Sequence, residues 1–439
     1  MKKFFMVSLI LLAACALVFA GGSGAKSSGS SAGASSGPAK IVMKMGDNHP
    51  DRNSGYGQVL ERINQEFQAA NPNVTIEVES LRDQPWQDKV IVYANAKTLP
   101  DVFTYWTFPN MMLPLLNANL LAPLNKSDFT NFGFLPGALE ASQYNGQIYG
   151  VPKSADMWVI YVNKGLFQKA GVPLPTSWED IIASVPKFKA INVAPMTTNG
   201  MDGWPLCLLY HNLVQRYNGD YNSIRNAVTR QGGVKFTGAD FAATAKYCQD
   251  MVKAGVFSAD MMTSDYDAGK NGFTQERAAM YLMGAWEMGM ATDSSLSQTF
   301  RDNLDVIQIP VISGGKGLVS DTQAWYGGNI VMSNGKNNDT AAAYLKFLAE
   351  RLGSYCWDSG AAFPAQKVAP KATDGIVAKN LLQFAGSATS TSGTVYSDSL
   401  NAVFKGDGEE LARQLFSLLL TPEQFCQKLD DSAQTNAGK

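Results

Sequence analysis

Histidine is almost absent from this chain of 439 residues, which contains only His49 and His211. Histidine supplies the ligands of many metal sites and the base of Ser-His-Asp triads. The sequence also has neither an HExxH nor a GxxxxGK[ST] segment. We therefore predict a protein that is not an enzyme and that holds no metal or cofactor. A glycosidase pair of carboxylates is the remaining enzyme alternative, although no spacing among the 38 acidic residues nominates one.

An excess of positive charge is also lacking. The chain has 36 Lys and Arg against 38 Asp and Glu, a net charge of −2, and loss of Lys2 and Lys3 with an N-terminal signal would make it −4. Proteins that bind nucleic acid or anionic membranes usually carry a basic patch. We expect no nucleic-acid partner.

Long apolar runs are confined to the N-terminus. Residues 1–20 combine two lysines with an apolar stretch too short for a stable membrane span, which is typical of a secretory signal peptide. Cleavage after Ala20 is favoured, because the residues just after Cys15 are still hydrophobic, but Leu12-Ala13-Ala14-Cys15 also fits the box before a lipid-modified cysteine. We expect a periplasmic protein, or one tethered to the membrane if Cys15 is lipidated.

Residues 21–37 are mostly glycine and serine and predict a flexible leader, because such a segment buries too little apolar surface to order itself.

Cysteine is scarce as well. Cys207, Cys248, Cys356 and Cys426 would remain after export, without CxxC spacing. Disulfides and buried free thiols are both compatible with this pattern.

The remaining chain of about 400 residues is long enough for two lobes with separate cores. Ile41 to Met45 predicts a strand, Tyr56 to Phe67 an amphipathic helix, and Val74 to Val78 a second strand. Thr176 with Glu179 predicts a capping box, and Thr421-Pro422 predicts the start of the last helix. This alternation favours an α/β fold with a largely parallel first sheet.

Several segments together resemble a known family. They are FQAANPNVTIEVES, LPDVFTYW, LLAPLN, YNGQIYGVPKSADMWVIYVNKGLFQKAGVPLPTSWEDI, FTQERAAMYLMGAWEMG and YGGNIVMSNGKNNDTAAAYLKFLAE. In this order and spacing they are similar to the extracellular solute-binding proteins of carbohydrate ABC importers, which include the maltodextrin-binding proteins. The resemblance implies the type II periplasmic-binding-protein fold, two α/β lobes joined by a multi-segment hinge. Lobe I would comprise residues 38–150 and about 322–355, and lobe II about 151–321 and about 356–439.

The resemblance also implies a function. The chain would bind a sugar or oligosaccharide with high affinity as a monomer and deliver it to the permease subunits and ATPase of an ABC importer. An alternative ligand is a quaternary ammonium compound or another small polar solute, since aromatic walls with carboxylates also suit cations. A secreted glycoside-acting enzyme is less favoured.

Sugar binding needs flat apolar faces, which aromatic side chains supply. The resemblance places Trp106 and Trp286 on opposite sides of the cleft, with core packing as the alternative for each. Trp204 lies in a glycine-rich loop within reach of the cleft. Trp325 and Tyr326 lie where the chain would recross between lobes, so ligand contact and hinge packing are equally compatible with their positions.

Sugar hydroxyls also need fixed polar partners. Asp47 and His49 follow the first strand, at the sheet edge where α/β folds bind ligands, although a turn cluster is the alternative. Asp156 and Glu287 are candidate hydroxyl acceptors, or else solvated surface charges. The loop at residues 46–51, GDNHPD, lacks the tryptophan that many members of the family carry there.

Overall fold

The computed structural model describes residues 39–393 and 395–437, so the predicted signal peptide, Cys15 and the leader lie outside the described part. The described strands are β1 (Ile41–Asp47), β2 (Val74–Ser80), β3 (Val102–Trp106), β4 (Gln143–Tyr144), β5 (Gln147–Ile148), β6 (Gly150–Pro152), β7 (Ala155–Asn163), β8 (Ala194–Thr197), β9 (Ala278–Gly284), β10 (Leu304–Gln308), β11 (Asp321–Thr322), β12 (Ala324–Tyr326), β13 (Gly328–Met332) and β14 (Ser390–Thr391).

The α-helices of the same residues alternate with these strands. They are α1 (Gly55–Ala70), α2 (Asp83–Ala96), α3 (Pro109–Asn117), α4 (Lys164–Ala170), α5 (Trp178–Ala190), α6 (Trp204–Asn218), α7 (Ser223–Thr229), α8 (Ala239–Ala254), α9 (Tyr266–Thr274), α10 (Gln298–Asn303), α11 (Asn338–Ser359), α12 (Ile376–Ser387), α13 (Ala402–Phe416) and α14 (Pro422–Asn436). The mixed α/β class predicted from the alternation is confirmed.

The first sheet has the strand order β2-β1-β3-β13-β6. β1 runs parallel to β2 and β3, whereas β13 is antiparallel to β3 and β6. Helix α1 turns Leu60 and Ile63, both fully buried, toward this sheet, as its 3.6-residue apolar period predicts. We call this sheet, with α1, α2, α3 and α11, lobe I.

The second sheet has the order β10-β7-β9-β8, and β12 extends it by pairing with β7. β7 is antiparallel to β9, β10 and β12, and only β8 and β9 run parallel. The residues of β7 from Asp156 to Asn163 are all buried, as is typical of a strand that is covered on both faces. We call this sheet, with α4 to α10 and α12 to α14, lobe II.

The chain passes between the two sheets three times. Residues 153–154 join β6 to β7, Gly327 joins β12 to β13, and residues 360–375 lead from α11 to α12. Position 327 requires glycine for a steric reason, because a Cβ there would lie 1.5 Å from an oxygen of Asp156. Only glycine allows this close approach.

The predicted helix starts are partly right. Thr421 caps α14 in a capping box with Gln424, and Pro422 is its first residue, as predicted. The capping box at Thr176 and Glu179 is wrong by one residue, because the Ser177 side chain accepts the N–H of Asp180. Ser177 has the extended backbone that an N-cap needs, and the hydroxyl of Thr176 donates to Asp180 as well.

The cysteines of the described residues are Cys207, Cys248, Cys356 and Cys426, and all four are free and buried. No helix in residues 39–393 and 395–437 is long and apolar enough to cross a membrane. Residues 40–439 form one compact unit.

Candidate functional site

A cavity of about 170 Å³ lies between lobe I and lobe II. Lobe I contributes the loop after β1, the end of β3 and the first turns of α1 to α3. Lobe II contributes the first turns of α6 and α9 and the 3-10 helix Ala285–Ala291. Because loops and helix N-termini converge on it, the cavity has the position expected of a ligand site in an α/β fold.

Three tryptophans form a continuous wall on the side of lobe II. The ring centroid of Trp286 lies 6.0 Å from that of Trp204 and 5.9 Å from that of Trp325. Trp158, which is buried and does not line the cavity, lies behind them, 6.0 Å from Trp204 and 6.1 Å from Trp286. Trp106, at the end of β3, lines the cavity from lobe I. The four lining rings offer the flat apolar faces on which a sugar ring stacks.

Hydrogen bonds fix the orientation of Trp286. Its indole N–H donates to the Tyr266 hydroxyl at 2.9 Å, and that hydroxyl donates to Glu287. Lys270 forms an ion pair with the second oxygen of Glu287 at 2.8 Å. Gly284 makes room for the indole, because a Cβ there would lie 1.9 Å from its ring. These contacts hold the indole ring in one orientation at the cavity wall.

Lys153 is a buried cation at the first crossing between the lobes. Its Nζ lies 2.9 Å from Nε2 of His49 and 3.3 Å from the side-chain oxygen of Asn48. Burial and the Lys153 charge hold the pKa of His49 well below its usual range, so this imidazole is neutral and Nε2 is the acceptor. Burial also lowers the Lys153 pKa. Within the described residues no carboxylate forms an ion pair with Lys153, which leaves one ammonium proton for a ligand.

Two buried carboxylates line the cavity without a direct ion pair among the described residues, and the charge of Lys153 acts on both from a distance. Asp156 is 6% exposed and its Oδ1 has no hydrogen-bond partner there, while Asp83 is 7% exposed and accepts one hydrogen bond, from Trp204. Burial raises the pKa of both to about 6, and the charge of Asp202 adds to the effect at Asp83. Each retains unused acceptor capacity for ligand hydroxyls.

Most other lining charges are in ion pairs, and the two exceptions, Asp51 and Asp293, accept hydrogen bonds from nearby backbone N–H groups and serine hydroxyls. Arg82 contacts Asp267 at 3.0 Å, and Lys405 contacts both Glu409 and Asp398. Burial lowers the pKa of Lys405, but the two carboxylates outweigh this effect and raise it overall.

Of the nine residues named from the sequence, seven lie around this one cavity: His49, Trp106, Asp156, Trp204, Trp286, Glu287 and Trp325. Asp47 lies behind the cavity wall, where its carboxylate binds Arg52, accepts from Ser80 at 2.5 Å and from the backbone N–H of His49 at 2.7 Å. It shapes the loop instead of lining the cavity. Tyr326 donates to the carbonyl of Pro136 at 2.7 Å and does not line the cavity either.

The sequence reasoning missed several lining residues, namely Arg82, Asp83, Lys153, Tyr266, Lys270, Asp398 and Lys405. A local signal existed for two of them. Asp83 opens α2 directly after β2, and Lys153 follows the strand that ends in Val151-Pro152, where the chain changes lobes. The others are brought in by tertiary packing alone.

This two-lobed arrangement is the type II periplasmic-binding-protein fold. The family model described as bacterial extracellular solute-binding protein matches residues 49–351, and the chain belongs to this family.

The chain is similar to the multiple sugar-binding protein of Streptococcus mutans, with 22% identity over 246 residues, 52% of this chain and 54% of that protein. It is similar to an uncharacterised ABC transporter extracellular-binding protein of Pyrococcus horikoshii, with 25% identity over 233 residues, 52% of this chain and 53% of the relative. The matches span from 21% to 54% of the length of the curated relatives.

Solved structures are similar to this chain over a larger share of its length than the curated relatives are. A protein studied for xylan utilisation by the thermophilic bacterium Caldanaerobius polysaccharolyticus has a TM-score of 0.80 and 25% identity, covering 89% of this chain and 99% of that chain. A chitin oligosaccharide binding protein has a TM-score of 0.78 and 20% identity, covering 91% and 100%.

Proposed function

We propose that this protein binds a saccharide between its two lobes, leaves it chemically unchanged and delivers it to the permease and ATPase of an ABC importer. The observation that carries the proposal is the cavity itself, where tryptophans from both lobes surround buried polar groups with unused hydrogen-bonding capacity. This combination matches the two faces of a sugar, its C–H surface and its hydroxyls.

The family and the names of its relatives support the same ligand class. We assign Trp106, Trp204, Trp286 and Trp325 to stacking on the sugar ring. We assign His49, Asp156 and Glu287 to contacts with sugar hydroxyls, or to positioning the neighbouring side chains that make these contacts. Lys153 and Asp83 join this set. The lobe boundaries stated from the sequence, at residues 150, about 322 and about 355, remain part of the proposal.

Calorimetry tests the binding step. The chain from residue 38 onward contains the whole compact unit and should release heat with at least one saccharide in a panel of mono- and oligosaccharides. Mass spectrometry of the recovered ligand should show an unchanged mass. A hydrolysed or otherwise altered sugar would show that the protein is an enzyme. The absence of heat with every saccharide of the panel would contradict saccharide binding.

A quaternary ammonium ligand is the second candidate, because the tryptophan wall shares the cavity with Asp83 and Asp156, two carboxylates that form no direct ion pair among the described residues. Choline and glycine betaine belong in the same panel as direct competitors. Heat with either of them, and none with any saccharide, would assign the cavity to a cation.

Export completes the proposal, and it concerns residues outside the described part. The protein would lie in the periplasm as a monomer, or be tethered to the membrane through Cys15. In the native host, Cys15→Ser should abolish membrane fractionation and lipid labelling if the cysteine is lipidated. An unchanged soluble protein would support cleavage after Ala20.

A further inference from the structure

An ion pair joins the two lobes at the edge of the cavity. Nε of Arg82, which directly precedes α2 in lobe I, lies 3.0 Å from a carboxylate oxygen of Asp267, the second residue of α9 in lobe II. Burial acts to lower the pKa of Arg82, but nearby groups, with the charge of Asp267 first among them, raise it overall. The guanidinium therefore stays charged, and its ion-pair partner belongs to the opposite lobe.

A hydrogen bond joins the lobes at a second point. The side-chain amide of Asn110, in α3 of lobe I, donates to the carboxylate of Asp398 at 3.3 Å. Both side chains are buried, and the same oxygen of Asp398 lies 4.0 Å from Nζ of Lys405 in α13 of lobe II. Asp398 thus interacts with a cation of its own lobe and with a hydrogen-bond donor of the other lobe.

Asp267 and Asn110 differ from the site residues described above, because neither of them lines the cavity. The side chain of Asp267 is 51% exposed, whereas Asn110 is buried. We therefore expect neither side chain to touch a saccharide in the cavity. Any influence of these two residues on ligand affinity would have to act through the contact between the lobes.

The two contacts depend on how the lobes are oriented relative to each other. None of the four paired residues lies in the crossings at residues 153–154, 327 and 360–375. A rotation about these crossings would separate both pairs and leave each lobe intact. A contact that exists only in the closed form stabilises that form, and it thereby raises the apparent affinity of a ligand that requires it.

We propose that the pairs Arg82–Asp267 and Asn110–Asp398 form a latch that holds the lobes together and so raises the affinity for a saccharide bound between them. Asp267 and Asn110 act as positioning residues, because they bring the lining side chains of the two lobes together without contacting the sugar. The effect on affinity rests on the proposed function, whereas the effect on lobe closure does not.

Calorimetry on the chain from residue 38 onward tests the latch with Asp267→Asn, Asn110→Ala and the double variant. The probes are maltose, xylobiose and the dimer of N-acetylglucosamine, and the one that binds the wild type most tightly is used for all variants. Asp267→Asn should weaken its binding about two- to fivefold, as for a partly exposed ion pair. Asn110→Ala should weaken it about two- to tenfold, as for a hydrogen bond. The double variant should combine the two losses, because the pairs share no residue.

Two controls separate the latch from local effects of the substitutions. Asp240→Asn is the matched control, because Asp240 is also an exposed carboxylate at the second position of a lobe II helix, α8, which packs on α6, α13 and α14. It should leave the affinity unchanged. In an Arg82→Ala background, Asp267→Asn should cause no further loss of affinity, since the ion pair is already broken.

Wild-type affinity in the double variant overturns the latch and leaves the sugar proposal standing. An equal loss in Asp240→Asn, or a further loss from Asp267→Asn in the Arg82→Ala background, also overturns it, because the ion pair would not be the cause. If none of the three probes releases heat, small-angle scattering of the ligand-free protein decides. A larger radius of gyration for the double variant than for the wild type then supports the latch, and an unchanged radius overturns it. The proposed function fails only when the whole saccharide panel gives no heat.

Discussion

The indole N–H of Trp204 donates to the carboxylate of Asp83 across the cleft, at 3.2 Å. Trp204 belongs to the stacking wall of lobe II, and Asp83 begins α2 of lobe I. One side chain therefore presents its ring to the cavity and its N–H to the opposite lobe. We expect both ligand affinity and lobe closure to depend on Trp204, and a substitution can separate the two roles.

Trp204→Phe should keep an aromatic face and delete the donor to Asp83. A hydrogen bond of this kind contributes about 0.5–1.5 kcal/mol, so the affinity for the bound saccharide should fall about 2- to 13-fold. Calorimetry measures the change. Trp178→Phe, a substitution in the core of lobe II away from the cavity, should lower stability and leave affinity unchanged. Equal affinities for Trp204→Phe and the wild type would rule out the role in closure.

Trp286→Ala and Trp106→Ala test the stacking walls of the two lobes. Truncating a buried aromatic anchor commonly costs about 2 kcal/mol or more of binding, which corresponds to roughly a 30-fold loss of affinity. Both rings are only partly buried, so the free protein should lose less than the roughly 3–5 kcal/mol typical of a deleted core aromatic. Full affinity with a much lower melting temperature would identify that tryptophan as structural.

Most elements were predictable because their signals are local. The 3.6-residue period from Tyr56 to Phe67 predicted α1, and the alternation from Val74 predicted β2. The capping box of α5 was misplaced because Thr176 and Ser177 are both good N-cap residues. Only the backbone conformation of Ser177 and its bond to Asp180 distinguish them.

The site residues that could be predicted from the sequence are those whose side-chain type is itself required for sugar binding. Trp106, Trp204 and Trp286 were named because a sugar needs aromatic faces, and the structure brings all three to one cavity. The contact of Arg82 with Asp267 was not predictable, because it joins residues 185 positions apart through the packing of two lobes. The roles of the three tryptophans in ligand binding stay predictions.

The four described cysteines should behave as buried thiols. Burial raises the pKa of each, to about 12 for Cys207 and Cys426, so little reactive thiolate forms at pH 8. A disulfide-exchange dye should label the native chain from residue 38 onward very slowly. In guanidinium chloride without reductant it should label four thiols. Only two labelled thiols would reveal a disulfide.

Asp83 should make stability depend on pH with a defined sign. Burial, together with the charge of Asp202, raises its pKa to about 6, compared with about 3.9 in the unfolded chain. Between these values the folded protein binds a proton that the unfolded chain has released, so this residue favours folding at low pH. Its contribution declines as the pH rises through 4 to 6 and is constant above that range.

Asp83→Asn removes the titration and keeps an oxygen that can accept from Trp204. Relative to the wild type, its free energy of unfolding should therefore be only slightly higher at pH 4.5 and clearly higher at pH 7.5, where the difference reaches at most about 3 kcal/mol, since a shift of roughly two pKa units corresponds to that energy. Guanidinium denaturation at both pH values measures the difference. Asp88→Asn, on the exposed face of the same helix, should show no such rise because its side chain already lies in water. A difference for Asp83→Asn that stays flat from pH 4.5 to 7.5 would mean that its carboxylate is hydrated in the free protein, with the cleft open around it.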